Sequence, residues 1–318
     1  MTRTDSSTSE YFPNFDILRL LLALEVVVAH LYLFSTPNTA WNAWIMAVPA
    51  FLAISGVVVL KSYSERVSLK DFAKRRALRI LPALSASILL IFVLFDSQVA
   101  VNAITTWLSG GIYIPEKGYT NQALWSLAWE ELAYLILAGL WAIGAYHRPR
   151  FIWLALIISV FTVYIFSASR LGPLAITLAM LAQAFFVGNL AFIYRKKLHI
   201  LGRFAPWAFL AFTLLAPHLP VRQLLQAMAV VWVGIAGYRV IGFRLPDISY
   251  GVYIYHVPIL LFITEKCRIT DIQTASWILI AALIPTCLVS WYFIERPCIR
   301  YKRKTTPDNV NATTQPAV

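Results

Sequence analysis

The stretch FDILRLLLALEVVVAHLYLF, residues 15–34, decides the fold class of this chain. It is long enough for one helical span of a lipid bilayer, which needs about 20 mostly apolar residues. A polar segment, residues 1–14, precedes it, and the apolar run continues past Ala29 without a small-residue cleavage site. We therefore predict a retained membrane helix rather than a cleaved signal peptide.

The composition extends this prediction to the whole chain. Of 318 residues, 59% are hydrophobic and only 13% are charged, whereas about a quarter of the residues of a soluble domain are charged. These values exclude a disordered protein, a secreted disulfide scaffold and a conventional cytosolic enzyme. The three cysteines form no CxxC pair, so the sequence indicates neither a disulfide framework nor a metal site.

Ten segments have the length and apolarity of membrane helices. They lie near residues 15–34, 44–62, 78–95, 122–145, 151–168, 173–194, 204–219, 222–241, 248–266 and 275–295. We predict an all-α fold, a polytopic integral membrane bundle of about ten transmembrane helices within residues 15–297. Residues 1–14 and the basic, disordered segment 298–318 are expected to be cytoplasmic tails. The seventh span is interrupted by Pro206 and Pro217 and is the shortest.

The distribution of basic residues predicts the orientation. With a cytoplasmic N-terminus, 21 of the 27 Lys and Arg residues fall in inner segments and five in outer segments. Cytoplasmic loops are enriched in these residues, so both termini are expected in the cytoplasm. The net charge of +12 then needs no nucleic-acid partner. The longest outer loop, 96–121, is mostly uncharged and is interpreted as a lid or a re-entrant segment.

The first span carries ionisable side chains, which are costly inside a membrane and are therefore candidate functional residues. Arg19 and His30 are 11 residues apart, about three turns, so they lie on one helix face about 16 Å apart along the axis. Asp16 lies three residues before Arg19 and can pair with it.

The fourth span carries Glu130 between Ser126 and Tyr134, and the four-residue spacing places all three on one face. The helical rise places Glu130 and His30 at similar depths in the outer half of the membrane. A neutral imidazole beside a carboxylate is a plausible general-base pair. The alternative is a histidine that is held by a backbone carbonyl and serves only packing.

The ninth span carries Tyr253 and His256 on one face. We expect His256 to support the site, although a satisfied interior histidine is an equally good interpretation. Hydroxyls such as that of Tyr253 are also common at helix interfaces without any catalytic role.

Lys74, Arg75, Arg76 and Arg79 crowd the cytoplasmic start of the third span. Such clusters often anchor a helix at lipid headgroups. Arg19, however, lies beyond the polar boundary of its own span. Several guanidiniums at one inner mouth suit a phosphorylated ligand, because their forked donors match phosphate oxygens.

Six segments, in this order, resemble the motifs of the membrane acyltransferase-3 family of bacterial O-acyltransferases: FDILRLLLALEVVVAH (15–30), FLAISGVVVL (51–60), FAKRRALRILPAL (72–84), LWSLAWEELAY (124–134), SYGVYIYH (249–256) and IERP (294–297). The resemblance places Arg19 and His30 in an Arg-x10-His motif. It places Arg76, Arg79 and Pro82 in an Arg-x-x-Arg-x-x-Pro signature. Each motif is weak alone, but six in the correct order are specific.

The resemblance implies an O-acyltransferase of the bacterial inner membrane with acyl-CoA, usually acetyl-CoA, as donor and no tightly bound cofactor. The acceptor would be a hydroxyl of a carbohydrate, such as a surface polysaccharide, a lipopolysaccharide or an exported oligosaccharide. Arg19, Arg76 and Arg79 would bind the CoA phosphates. His30 would be the general base, with Glu130 fixing its tautomer. The expected supporting residues are Ser126, Tyr134, Tyr253 and His256.

Other functions remain open from the sequence. Charged residues in a ten-helix bundle also occur along the pathways of transporters, and the acceptor of an acyltransferase could be a non-carbohydrate such as a macrolide. An unrelated class of membrane acyltransferase that uses a His and Asn pair finds no intramembrane Asn near His256.

Overall fold

The computed structural model describes residues 12–35, 46–64, 68–113, 115, 118–166, 172–215, 221–236 and 246–304. Of the predicted tails, residues 1–11 and 305–318 lie outside this part, as do 216–219 and 237–241 of the seventh and eighth predicted spans. The described part is 87% helical and contains no strand, which agrees with the predicted all-α fold.

The helices follow one another with short connections. They are α1 (Asn14–Ser35), α2 (Ala47–Ser64), α3 (Leu69–Leu94), α4 (Ser97–Leu108), α5 (Trp125–Ala142), α6 (Arg150–Phe166), α7 (Gly172–Ile193), α8 (Arg195–Ile200), α9 (Ala205–Leu215), α10 (Arg222–Ile235), α11 (Ser249–Leu261), α12 (Ile272–Val289) and α13 (Arg296–Lys304). Two π-helical segments, Phe262–Lys266 and Ser290–Glu295, extend α11 and α12.

Six helical segments of the described chain are long and apolar enough to cross a membrane: Asn14–Ser35, Ala47–Ser64, Leu69–Leu94, Gln122–Ala142, Leu174–Ile193 and Ile272–Arg300. Three shorter apolar helices cover Arg150–Ile165, Gly202–Leu215 and Arg222–Ile235. Large apolar side chains, among them Leu89, Phe161 and Trp277, are well exposed on the outer faces of these helices, as expected where lipid replaces water. The chain is a multi-pass membrane protein. The count of ten spans and the side of each terminus remain predictions.

The bundle is held together by close contacts between helix backbones. The α2–α7 pair is the tightest, because a Cβ atom on Gly56 or on Gly188 would overlap the main chain of the partner helix. Small residues at such positions let membrane helices approach closely. Elsewhere α1 packs on α11, and α3 and α12 pack on the other sides of α11.

Two elements differ from the sequence prediction. α3 begins at Leu69, well before the predicted residue 78, because Ser68 caps its N-terminus and the basic first turns are helical too. The predicted loop 96–121 contains α4, capped by Asp96. α9 is described over Ala205–Leu215, and the rest of the seventh predicted span, residues 216–219, lies outside the described residues.

The bundle has two chemically different ends. Arg19 and the three arginines near the start of α3 lie at one end, which we call the arginine end. α3 runs from there to α4, whose C-terminal loop contacts the start of α5 through a hydrogen bond from Trp129 Nε1 to Gly110 O (3.0 Å). α5 then runs back towards the arginine end.

Candidate active site

A cavity of about 390 Å³ opens at the arginine end between α1, α2, α3, α5 and α11. We call it the arginine cavity. Its mouth is lined by charged side chains and its deeper part by hydroxyl and carboxylate groups. The mouth residues are Arg19, Arg75, Arg76, Arg79 and Asp247, and the deeper residues include Ser55, Ser126, Glu130, Tyr134 and Tyr253. Three predicted site residues of α5, Ser126, Glu130 and Tyr134, therefore share one face, as their spacing indicated.

Arg19 reaches this mouth from the first turns of α1. Its Nη1 lies 3.6 Å from Asp16 Oδ1 in an i,i+3 ion pair, which confirms the predicted pairing. Both side chains remain about a quarter exposed, so the guanidinium of Arg19 faces the cavity without being sealed off.

Arg79 is more strongly engaged than the sequence suggested. Its Nη2 donates to Asp247 Oδ2 at 2.6 Å, and its Nη1 lies 4.0 Å from Glu295 Oε2. Glu295 is buried, and Ser290 Oγ donates to its other oxygen at 3.1 Å. One guanidinium thus ties α3 to the segment before α11 and to the end of the π-helical segment after α12.

Asp247 lies outside the helices, just before α11. Burial opposes its ionisation, but the guanidiniums of Arg79 and Arg19, together with the Ser249 hydroxyl, hold the pKa of this carboxyl below its ordinary value. The group is therefore a carboxylate at neutral pH.

Arg76 has a different environment from Arg79. Its guanidinium carbon lies 5.7 Å from the ring centre of Phe72 and 5.4 Å from that of Tyr134, which are cation–π distances. Its buried Nε has no hydrogen-bond partner within the described residues. Arg76 is thus oriented by two rings while part of its donor capacity is unused, and it is better placed than Arg79 to bind an added anion.

Glu130 does not pair with His30, which corrects the expectation from depth. Its Oε1 accepts hydrogen bonds from Ser55 Oγ at 2.5 Å and from Tyr134 OH. The helical rise predicts only how deep Glu130 and His30 lie along the membrane normal. Which side chain Glu130 contacts depends on which helices pack beside α5. α5 packs beside α2, which carries Ser55, whereas α1 packs on α11.

His30 is paired instead with His256, which is fully buried. Nδ1 of His30 lies 3.0 Å from Val26 O and 3.1 Å from Nε2 of His256. Nδ1 of His256 lies 3.0 Å from Val252 O. With a proton on each Nδ1, both carbonyls have a donor, and the single N–H of His30 is shared between Val26 O and Nε2 of His256 in a bifurcated hydrogen bond; we assign these tautomers from the network. Nε2 of His30 then carries a lone pair.

Tyr253 connects the histidine pair to the arginine cavity. Its ring centre lies 6.2 Å from that of His256. Its hydroxyl donates to Ala123 O at 2.9 Å and accepts from Ser126 Oγ at 2.7 Å. The predicted residues Ser126, Tyr253 and His256 therefore form one contiguous group.

Sequence reasoning missed three polar residues of this region: Ser55, Asp247 and Glu295. Ser55 lies in the segment FLAISGVVVL and Glu295 in IERP, while Asp247 precedes SYGVYIYH by two residues. The sequence did not predict a role for any of the three. Their signal was the cluster of basic residues, since buried guanidiniums in a membrane require acidic partners. No group of three or more potential metal ligands occurs in the part of the chain that the structure describes.

Comparison with known proteins identifies the family. A family model described as an acyltransferase domain, acyltransferase-3, matches residues 12–295. This range includes every residue of the arginine cavity named above and both histidines. The chain belongs to the acyltransferase-3 family. It is therefore an acyltransferase, and its histidine pair and arginine cavity are candidate parts of an acyl-transfer site.

Relatives of this acyltransferase carry related names. It is 26% identical to an O-acetyl transferase of Shigella phage Sf6 over 77% of this chain and 84% of that protein. It is 25% identical to a putative peptidoglycan O-acetyltransferase of Bacillus subtilis over 90% of this chain and 55% of the relative. The match to nodulation protein 10 of Rhizobium leguminosarum, at 29% identity, covers 47% of this chain and 38% of that protein. The chain thus spans only about half the length of some relatives. No solved structure matches it significantly.

Proposed function

We propose that this acyltransferase moves an acetyl group from acetyl-CoA to a hydroxyl of a carbohydrate in the bacterial inner membrane. The observation that carries the proposal is the arginine cavity, which runs from guanidiniums at its mouth to hydroxyl groups that are connected through Tyr253 to the His30–His256 pair. The names of the relatives support O-acetyl transfer, and the Bacillus subtilis relative is named for peptidoglycan.

The donor would enter at the arginine end. Arg19 and Arg76 would bind the CoA phosphates, with Arg79 contributing donors that it now shares with Asp247 and Glu295. A cavity of about 390 Å³ is too small for the whole donor but suits its pantetheine arm. The nucleotide would therefore stay at the mouth, and the thioester would reach the deeper hydroxyl groups.

His30 would act as the general base through Nε2. As the acceptor oxygen attacks the thioester carbonyl, Nε2 takes the hydroxyl proton. The C–S bond then breaks, and Nε2 passes the proton to the leaving thiolate, which departs as the CoA thiol. His256 would position the His30 ring by accepting from its Nδ1, much as a carboxylate orients the base in a hydrolase triad.

Glu130 would position the side chains around the arginine cavity rather than orient His30. Its carboxylate holds the Ser55 hydroxyl and the Tyr134 hydroxyl, and the Tyr134 ring contacts Arg76. Removing the charge would therefore disturb the orientation of Arg76 and the polar wall beside the thioester.

The donor is tested first, by thermal unfolding of the purified, detergent-solubilised protein with acetyl-CoA or free CoA. A ligand at 100 times its Kd stabilises the folded state by about 2.7 kcal/mol, which a melting scan detects. We expect the double variant Arg76→Ala/Arg79→Ala to lose the shift and the exposed Arg150→Ala variant to keep it. No shift with folded wild-type protein would contradict a CoA donor and would mean that the acyltransferase uses another acyl donor.

The base is tested by transfer of labelled acetate in membrane vesicles. His30→Ala should abolish incorporation while retaining the acetyl-CoA shift, which verifies folding. His256→Ala should lower the rate and displace the pH profile, because the His30 ring loses its partner. Full incorporation by folded His30→Ala would refute this mechanism.

A further inference from the structure

A second cavity, of about 550 Å³, lies at the end of the bundle opposite the arginines. We call it the tryptophan cavity. It lies between the end of α4, the loop that follows it, the start of α5 and the start of α7. Among the residues that line it are Thr106, Tyr113, Thr120, Gln122, Trp125 and Trp129.

The two tryptophans are held by a glycine turn that fits against them. Gly110 and Gly111 have φ of +60° and +76°, values that favour glycine. A Cβ atom on Gly110 would lie 2.7 Å from the Trp129 indole, and one on Gly111 would lie 2.9 Å from Cβ of Trp125. Trp129 Nε1 also donates to Gly110 O. The loop backbone thus packs closely against both tryptophans and binds the Trp129 indole through a hydrogen bond.

The part of the lining that the structure describes suits an uncharged, hydroxyl-bearing ligand. No Asp, Glu, Lys, Arg or His lines the cavity among the residues that the structure describes. Indole rings offer flat faces for the C–H face of a sugar ring, while the amide of Gln122 and the Thr120 hydroxyl can bond to sugar hydroxyls. A site of apolar rings with a few polar groups is typical of small-ligand binding.

The tryptophan cavity and the arginine cavity are both lined by the first turns of α5. Trp125 and Trp129 directly precede Ser126 and Glu130, which line the arginine cavity. Successive residues of an α-helix point about 100° apart. The same two turns of α5 therefore separate the two cavities, and a ligand in each would approach the same stretch of helix from opposite ends of the bundle.

We propose that the tryptophan cavity is the acceptor subsite and that it binds an uncharged sugar ring of the acceptor against Trp125 and Trp129. This assignment rests on the proposed function, because it supplies the second substrate of that reaction. Among the described residues, guanidiniums line only the other cavity, which fits this assignment because only the donor carries phosphate.

The test is the thermal shift of the purified full chain with millimolar methyl glycosides of glucose, galactose, rhamnose and N-acetylglucosamine. We expect at least one of them to stabilise the wild type and Trp125→Ala to lose that shift. Trp125→Phe, which keeps a ring, should retain most of it. Trp277→Ala, which removes an exposed tryptophan of α12, is the matched control and should behave as wild type.

The acetyl-CoA shift, measured on every variant, separates the two proposals and verifies folding. If acetyl-CoA stabilises Trp125→Ala normally while a sugar still binds it as it binds the wild type, the subsite assignment is wrong. If none of the four glycosides stabilises the wild type, the assignment is also wrong, although the donor proposal stands. If acetyl-CoA does not stabilise the folded wild-type protein, the proposed function is overturned instead.

Discussion

Arg76 and Arg79 lie one turn apart on α3 but have different surroundings. Arg79 is occupied by two carboxylates, whereas Arg76 stacks on two rings and keeps an unbonded Nε within the described residues. A guanidinium in a stacked, forked arrangement is not replaceable by an ammonium. The two arginines of one motif should therefore differ in their effect on the donor.

We expect Arg76→Ala to raise the KM for acetyl-CoA about 10- to 100-fold, the equivalent of one charge-assisted hydrogen bond of roughly 1.5–3 kcal/mol. Arg76→Lys should give an intermediate KM, because it keeps the charge and loses the fork. Steady-state transfer kinetics at saturating acceptor check this, with Arg150→Ala as control. An unchanged KM in Arg76→Ala would exclude a phosphate contact at this residue.

Asp247 should make stability depend on pH. Its native pKa is lowered, so its contribution to the free energy of unfolding is complete above the unfolded-state pKa of about 3.9 and declines as pH falls through the lower native pKa. At pH 7, Asp247→Asn should be less stable by roughly 1–3 kcal/mol, since Arg79 loses its nearest carboxylate. Thermal unfolding at pH 7 and at pH 3 measures the difference. An equal deficit at both pH values would contradict the argument.

The pairing of His30 shows what a sequence can predict about a membrane site. The spacing from Arg19 to His30 and from Ser126 to Tyr134 correctly predicts which side chains share a face. It does not predict that His30 meets His256, because that contact depends on how α1 packs against α11. Depth alone suggested Glu130, which is bonded to Ser55.

The close contact between helices α2 and α7 should make the protein sensitive to larger side chains at its glycines. A Cβ atom on Gly188 would overlap the carbonyl oxygen of Ala53, so Gly188→Ala should lower stability by about 1–3 kcal/mol, the usual cost of overpacking. Gly139→Ala on α5 is the matched control. No atom lies within 4 Å of its added Cβ, and the helix gains propensity. Thermal unfolding in detergent measures both, and equal stabilities would refute the close contact.

Helix boundaries were predictable where the apolar run is long and not where a helix is short or irregular. α1 agrees with its predicted span within one residue at either end. α4 escaped prediction because its 12 residues are too few to span, although Asp96 caps it by accepting from Val99 N. Glu295 lies at the end of a π-helical segment, and a wider turn changes the facing of residues that a 3.6-residue period would predict.

Two cysteines of the chain can report how the whole protein is oriented in the membrane. Cys267 is exposed beyond the end of α11, at the end opposite the arginines, whereas Cys298 follows Glu295 at the arginine end. If the arginine end is cytoplasmic, a membrane-impermeant maleimide should label Cys267 in intact spheroplasts and spare Cys298. Cys267→Ser should remove the label. Labelling of Cys298 alone would mean that the protein is inserted the other way round.

The two cavities on either side of α5 also affect the membrane as an electrical insulator. If water fills both cavities, it carries the bulk potential inward, and the voltage would then fall mainly across the part of α5 that lines both of them, residues 125–130. One elementary charge that crosses 100 mV changes in energy by about 2.3 kcal/mol. His30 is connected to this part of α5 through His256, Tyr253 and Ser126, so proton transfer to His30 would then take place near a strong electric field, and the rate of the proposed acyl transfer would depend on the membrane potential.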